Sequence, residues 1–499
     1  MTYAPDSWGI SERWCNRVAG AWHDGAESGW LDLYDPATGE IFARAAAASG
    51  ASIAKAVEAG QALVESRALA SLRPLDRGRM VQRMGALLRA RAEETARLLC
   101  RDVGKSLTEA RGEALAAARY FEYFGGLAAG IEGRFIPQGD TLSTHIRPEP
   151  YGVVGHIIPW NFPHLMAARS LAPALAAGNV NVVKAPELAP LACYIFADVA
   201  EEAGFPPAAV SVLAGTGREA GRALATHPDV RLIVFTGSVA TGREIMRSAA
   251  QNIVPTVLEL GGKSAAIVRA DADIDQVVEN VRIGIFENAG QVCDALSRLI
   301  VEAPVYDKVV EAVRAAAEGL RIGPGCDDPE ITPLISAGQR DRVARYCGVA
   351  LAEGARLVAG GTIPADLPGY FHSPTVFADV TADMTVHREE VFGPFLAVSR
   401  AADLDHAVSL ANATDYGLAA GVFTQDLDAA MWCAERLDAG MVHINEWALG
   451  SCEVPFGGTR HSGIGRERGR EGLESYFQSK VVGIRRNRSF AHAATGLRR

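Results

Sequence analysis

The stretch Val153-Val154-Gly155-His156-Ile157-Ile158 is a short β-rich apolar run that ends in a proline-bounded turn, Pro159-Trp160-Asn161-Phe162-Pro163. Four further runs follow, Val180 to Val183, Val210 to Leu213, Leu232 to Phe235 and Val257 to Leu260, each separated from the next by a helical stretch. Short apolar strands alternating with helices predict an α/β fold built on a doubly wound, Rossmann-like parallel sheet. Such sheets bind ligands at the carboxyl ends of their strands, so the residues just after each run are where chemistry is to be sought.

Upstream, Ser52 to Ala129 is rich in Ala, Leu, Arg and Glu at helical spacing, and Ser106 with Glu109 three residues on reads as a capping box. From Ile131 to Pro150 the pattern turns to alternation with Gly and Pro, which predicts an extended arm or hairpin. Downstream of Gly261 a second α/β series begins, with a helix expected from Asp273 to Glu287 and strands near Leu299, Val376, Leu396, Val422 and Val442. The stretch Glu474 to Ile484 ends in an apolar run, Val481 to Ile484, which as an edge strand paired with the earlier arm suits subunit association.

At 499 residues the chain exceeds one ordinary core and is expected to form two to four domains. A formal charge of −10 disfavours nucleic acid and anionic membrane as partners, and the basic tail Arg485, Arg486 and Arg488 reads as a solvated terminus. The start, Met1 to Trp14, lacks the pattern of a secretory signal, and nowhere do about eighteen apolar residues run together as a membrane span requires. The 8 cysteines and 11 histidines are dispersed without metal-ligand spacing. No metal is expected, and a reducing cytoplasm is.

Gly237 and Gly242, in Phe235-Thr236-Gly237-Ser238-Val239-Ala240-Thr241-Gly242, precede a helix whose N-terminal N–H groups suit a phosphate. Arg243-Glu244 stands where a Walker loop needs Lys and Ser or Thr, which excludes nucleotide hydrolysis on that pattern, and Gly215, Gly217 and Gly221 miss the dinucleotide fingerprint by one residue. Either loop also reads as a plain strand–helix turn. Lys184 and Glu187 end the second strand, where they serve ribose hydroxyls or form a surface ion pair; a carboxylate there repels a 2′-phosphate and favours NAD over NADP. Cys293, in Asn288-Ala289-Gly290-Gln291-Val292-Cys293, reads as an inert small hydrophobe when taken alone, although the glycine beside it suggests close backbone approach. Glu259 ends a strand in apolar company, where desolvation raises a carboxyl toward a useful general base. Asn161, held between prolines, presents an amide donor suited to an oxyanion, or else belongs to an aromatic turn.

Together these residues resemble the aldehyde dehydrogenase superfamily. The matching stretches are Pro159 to Pro163, Lys184 to Glu187, Phe235 to Gly242, Glu259 to Ser264, Gly290 to Cys293, Glu390 to Pro394, and Pro455-Phe456-Gly457-Gly458 running on to Ser462-Gly463 and Gly465-Arg466-Glu467. Each is weak alone, but they span nearly the whole chain in family order. The resemblance implies an NAD-binding domain from 1–131 and 152–258, a catalytic domain from 259–434, and oligomerisation or bridging segments 132–151 and 435–499. It implies Cys293 as nucleophile, Asn161 with the Cys293 backbone N–H as oxyanion donors, and Glu259 as the base that activates water. It further implies NAD as cofactor, held by Ile158, Trp160, Lys184, Glu187, Gly217, Gly221, Gly237, Ser238, Gly242, Leu260, Glu390 and Phe392. Phe162, Asp294, Trp447 and Phe456 are expected around the aldehyde, and a homodimer or homotetramer is implied.

Three departures stand out. Asp294 follows the nucleophile where many relatives have a small or neutral residue, Lys184-Ala185-Pro186-Glu187 inverts the usual Pro-Ala order, and Glu453 adds an acid shortly before Phe456. They suggest a polar or cationic substrate; alternatively Trp447, Phe456 and Phe162 line an aromatic slot, or simply pack. A CoA-acylating semialdehyde dehydrogenase is the nearest rival, disfavoured because a thiol acceptor needs no base for water. A non-catalytic protein on the same scaffold is the rival of another class.

Overall fold

A computed structural model describes residues 8–25, 28–139, 141–447 and 450–486. Met1 to Ser7 and Arg488, which entered the readings of the two termini, lie outside the described residues. The five runs form the strands Val153–Ile157, Val180–Ala185, Val210–Ala214, Val230–Thr236 and Thr256–Glu259, parallel neighbours in one sheet. Helices cover both faces, so Val153–Ile157, Val180–Ala185 and Val210–Ala214 are buried at every position, which is why they read as continuous apolar runs rather than alternating ones.

The chain winds outward from Val153–Ile157 through Val180–Ala185 to Val210–Ala214, then crosses back to place Val230–Thr236 on the other side of Val153–Ile157. The strand order therefore reverses between these two, and the crevice of such a sheet opens beyond their carboxyl ends, at Ile158 to Asn161 and Thr236 to Ser238. Three short antiparallel strands extend the sheet to eight: Asn16–Val18 and Ala21–His23 at one edge, Gly463–Ile464 at the other. At two or three residues each they are too short to carry a period.

Residues 260–264 lead from the end of Thr256–Glu259 into a second, seven-stranded sheet that begins with Ala265–Val268. The expected helix spans Ile274–Phe286, with the Asp273 side chain capping its start. The strands near Leu299, Val376, Leu396, Val422 and Val442 are Arg298–Glu302, Thr375–Ala378, Phe395–Ala401, Ala419–Phe423 and Met441–Ile444. Met441–Ile444 lies beyond residue 434, in the span read from sequence as bridging, yet it pairs in parallel with Ala419–Phe423. The helix Leu427–Arg436 joins these two strands, so the crossover unit closes only after Ile444.

The helices Gly50–Glu65, Pro74–Ala90, Ala92–Asp102 and Leu107–Leu127 fill the segment with helical spacing, and Ser106 and Glu109 make the reciprocal bonds of a capping box. The arm is a three-stranded sheet in which Leu142–Pro150 pairs with Arg134–Pro137 on one side and, along its whole length, with Phe477–Arg485 on the other. No helix among the described residues is long and apolar enough to cross a membrane.

Candidate active site

The loop before Cys293 is strained. Asn288, Ala289 and Gly290 are consecutive left-handed residues, with φ of 47°, 52° and 71°. Such backbone costs about 1–3 kcal/mol for each non-glycine residue and persists only where its surroundings over-determine it. Here they do. A Cβ on Gly290 would lie 2.1 Å from the Gly393 carbonyl, so the glycine permits a contact that no other residue allows. The Gln291 side chain accepts from the Ile335 N–H at 2.9 Å and donates to the Asn288 carbonyl at 3.1 Å.

Asn161 is tied to this loop from the turn after Val153–Ile157. Its Nδ2 donates to the Gln291 carbonyl at 2.9 Å, and its own carbonyl accepts from Asn288 Nδ2 at 3.1 Å. One N–H of a two-donor amide is thus spent on orientation, leaving the second. Glu259 arrives from the end of Thr256–Glu259, two strands away across Val230–Thr236. It is buried, neither carboxylate oxygen has a hydrogen-bond partner among the described residues, and burial, then the Glu467 carboxylate, push it well above the ordinary carboxylate range against the pull of Arg169. The Gly261-Gly262 pair after it closes the site: a Cβ on Gly261 would sit 2.4 Å from Glu390 Oε2, and one on Gly262 2.5 Å from the Cys293 carbonyl.

Asn161, Glu259 and Cys293 line one cavity of about 230 Å³, and its walls continue through Pro159, Trp160, Gly237 and Ser238 to the strand-end crevice. Leu260, Glu390 and Phe392 complete that wall. The Ser238 side chain caps the helix Val239–Ala250, whose N-terminal N–H groups a phosphate can use. Glu390 accepts from the Gly262 N–H at 3.0 Å, and burial lifts its carboxyl to about 7. Phe392, at φ 63°, packs edge-on against Trp160.

The other residues expected around the cofactor sit outside this cavity lining. The Ile158 N–H donates to the Lys184 carbonyl at 3.1 Å, which holds two strand ends together. Lys184 is buried, which lowers its pKa, and Glu187 counters that shift. Glu187 accepts from the Gly217 N–H at 3.0 Å, joining the loops after the second and third strands. The Gly221 N–H donates to the Thr216 carbonyl within a helical turn. Gly242 lets its helix approach the Leu260 side chain, which a Cβ would meet at 2.6 Å.

Across the Cys293 loop lies a second cavity, of about 560 Å³, with Val292, Asp294 and Trp447 in its wall. Asp294 Oδ1 is 3.7 Å from Cys293 Sγ, and burial, then this carboxylate, hold the thiol well above its usual pKa. Trp447 Nε1 donates to the Asp294 carbonyl at 3.1 Å. Phe162 and Phe456, expected beside the aldehyde, line neither cavity. Their rings are covered by the chain's own cations, Lys105 Nζ 3.2 Å from the Phe162 centroid and the Arg169 and Arg468 guanidiniums over Phe456. Glu453 is exposed and accepts from the Ser451 hydroxyl.

Two groups near the site had no role assigned from sequence. Arg169, the one charged side chain of the largely apolar helix Pro163–Ala177, forms a buried ion pair with Glu467 at 2.5 Å, and both charges act on Glu259. A lone arginine in a helix that is buried almost throughout was the available signal, since such a charge requires a buried partner. Gln339 and Arg342 line the 230 Å³ cavity and hold the carbonyls of Phe392 and Glu390, each at 2.6 Å. They come from the helix Ala337–Ala352 and carry no motif.

The model of the aldehyde dehydrogenase family matches residues 22–482. This chain belongs to that family. Among its relatives is the betaine aldehyde dehydrogenase of Rhizobium leguminosarum bv. trifolii, 40% identical over 90% of this chain and 92% of the relative. The peroxisomal aminoaldehyde dehydrogenase 2 of Malus domestica is 38% identical over 93% of this chain and 94% of its own. The crystal structure of betaine aldehyde dehydrogenase from Staphylococcus aureus, in complex with NAD+, superposes with a TM-score of 0.92 at 35% identity, covering 95% of each chain. An aldehyde dehydrogenase requires a nucleophile, an oxyanion donor and a base around one carbonyl carbon. The smaller cavity is lined by one side chain suited to each task.

Proposed function

We propose that this aldehyde dehydrogenase oxidises its aldehyde to the carboxylic acid with NAD, and that Cys293, Asn161 and Glu259 carry the chemistry. The supporting observation is that these three, from distant parts of the chain, line a single cavity that runs to the switch point of the first sheet. In this reading Cys293 Sγ, as thiolate, bonds to the carbonyl carbon and gives a thiohemiacetal. The developing oxyanion is held by the free N–H of Asn161 and by the Cys293 backbone N–H. NAD, when bound, takes up the hydride. Glu259 then accepts a proton from water as it attacks the thioester, the C–S bond breaks, and the acid departs. A carboxylate without a partner in the nucleophile's own cavity favours water over coenzyme A as the acyl acceptor.

The residues present fit a dinucleotide. Gly237 and Ser238 would meet the pyrophosphate at the helix N-terminus, Lys184 and Glu187 the adenosine ribose, and Glu390 with Phe392 the nicotinamide ribose. The first sheet is on this reading the cofactor domain and the second the catalytic one. Asp294 and Trp447 would face the aldehyde. We place the protein in a reducing compartment such as the cytoplasm, since all 8 thiols are free. A homodimer or homotetramer would cover the apolar Phe135 and Val481 on the arm, which are 58% and 65% exposed.

The test is NADH formation on adding aldehydes to the purified chain, with Cys293→Ala as control. Turnover is expected only in the parent, the variant falling by about 10⁴-fold or more, as when other covalent nucleophiles are removed. Equal inactivity of both across short, branched, aromatic and amino aldehydes would overturn the reading.

A further inference from the structure

Resting on the aldehyde-oxidising reading, we propose that the larger cavity selects aldehydes carrying a positively charged nitrogen a few bonds from the carbonyl, with Asp294 as the counter-ion that sets this specificity. The geometry comes from the Cys293 loop. Cys293 lines the smaller cavity while its neighbours Val292 and Asp294 line the larger, so the nucleophile stands at the partition between them. Asp294 Oδ1 lies 3.7 Å from Sγ, close enough to reach a nitrogen on a chain whose carbonyl carbon is bonded to that sulfur. Trp447 Nε1 donates to the Asp294 carbonyl and so anchors the backbone that carries the carboxylate.

The charges around the cavity have the matching sign. Of its charged lining among the described residues, Glu279 pairs with Arg282 at 3.6 Å and Glu330 with Arg321 at 3.0 Å, leaving Glu109, Glu287 and Asp294 beside Arg468, while Lys105, which acts on Glu109 and Glu287 from behind the wall, is paired with Glu113 at 2.6 Å. Arg468 is stacked on Phe456 and also acts on the buried Glu467. Burial, then the Glu109 carboxylate, lift Glu287 to about 7 against the pull of the buried Lys105, and Asp294 adds to the rise. The Phe162 and Phe456 rings are already covered by Lys105, Arg169 and Arg468, so recognition of a cation falls to carboxylates rather than to those faces.

Substrate charge and nucleophile activation are then coupled. The Asp294 charge helps to keep the Cys293 thiol protonated, and a substrate cation beside Asp294 offsets that charge as the carbonyl reaches Sγ. A neutral aldehyde leaves it in place.

The experiment measures kcat/KM, at saturating NAD, for an ω-amino aldehyde protonated at the assay pH and for its ω-hydroxy analogue of equal length. The wild-type ratio is expected to favour the amine by about ten- to a hundredfold, the range of one hydrogen bond to a charged group. Asp294→Asn is expected to bring the ratio toward one and to raise turnover of the neutral aldehyde, and Glu287→Gln to lower the ratio by a smaller factor. A wild-type ratio of one or below, with Cys293-dependent oxidation of the neutral aldehyde, overturns this proposal and leaves the oxidation reading standing, and it decides without any variant. An Asn variant that keeps the wild-type ratio also overturns it. No NADH from either aldehyde overturns both.

Discussion

On one side of Cys293 the wall is made of strand ends and a helix N-terminus; on the other it is made largely of side-chain charge, carried by Glu279 and Arg282 of Ile274–Phe286 and by Glu109, Glu287, Asp294, Glu330 and Arg468. The first wall offers backbone N–H groups, glycines and a few fixed polar groups, and it follows from the winding of the sheet. The second is a set of Glu, Asp and Arg side chains, most of them away from the strand ends, of which Glu109 also caps a helix and accepts from the Asn288 N–H. On the proposed reading, cofactor recognition is a property of topology, whereas substrate recognition is a property of side-chain chemistry laid over it.

The largest effect that would sharpen this contrast is expected from Glu259→Gln. Steady-state turnover should fall about 10²–10⁴-fold, the usual worth of a positioned acid or base, while a burst of NADH near one equivalent persists in rapid mixing. The parent's rate of acid release should rise with pH, because burial lifts the Glu259 carboxyl and only its deprotonated form can accept a proton from water; the Gln variant should lack that limb. Loss of the burst together with turnover would place Glu259 before hydride transfer and blur the division of labour. Next, Asn161→Ala should cost about 10²–10³ in the chemical step, with NAD affinity by titration calorimetry little changed. An equal loss of cofactor affinity would show that its bond to the Gln291 carbonyl serves the loop more than the oxyanion. The smallest effect is expected at Glu187→Gln, where the preference for NAD over NADP in kcat/KM should narrow by about tenfold, the range of one charged hydrogen bond. An unchanged preference would mean that its bond to the Gly217 N–H is the whole of its role.

Asn161, Glu259 and Cys293 were singled out only through the resemblance carried by the order of motifs, since Asn161 and Cys293 taken alone also read as structural, whereas the strands of the first sheet were legible because burial on both faces leaves no freedom but apolar residues. The short edge strands Asn16–Val18 and Gly463–Ile464 were not, since pairing of two or three residues is decided by the neighbouring strand. Phe162 and Phe456 show the opposite failure. Aromatic character near a motif suggested a substrate slot, but each ring is a platform for a buried cation whose sequence separation hides it.

From the sequence alone follow the class of fold and the family, and through that resemblance the expectation of three site residues, because each rests on local constraints: the burial of a strand, the small residues of a turn, the order of motifs. Only tertiary structure decided that Asn161 is oriented by the Gln291 carbonyl, that Glu259 is flanked by the Arg169–Glu467 pair, and that Asp294 faces both the sulfur and an acidic chamber. Those are relations between distant segments, and charge acts through distance and burial, neither of which a linear order of residues contains.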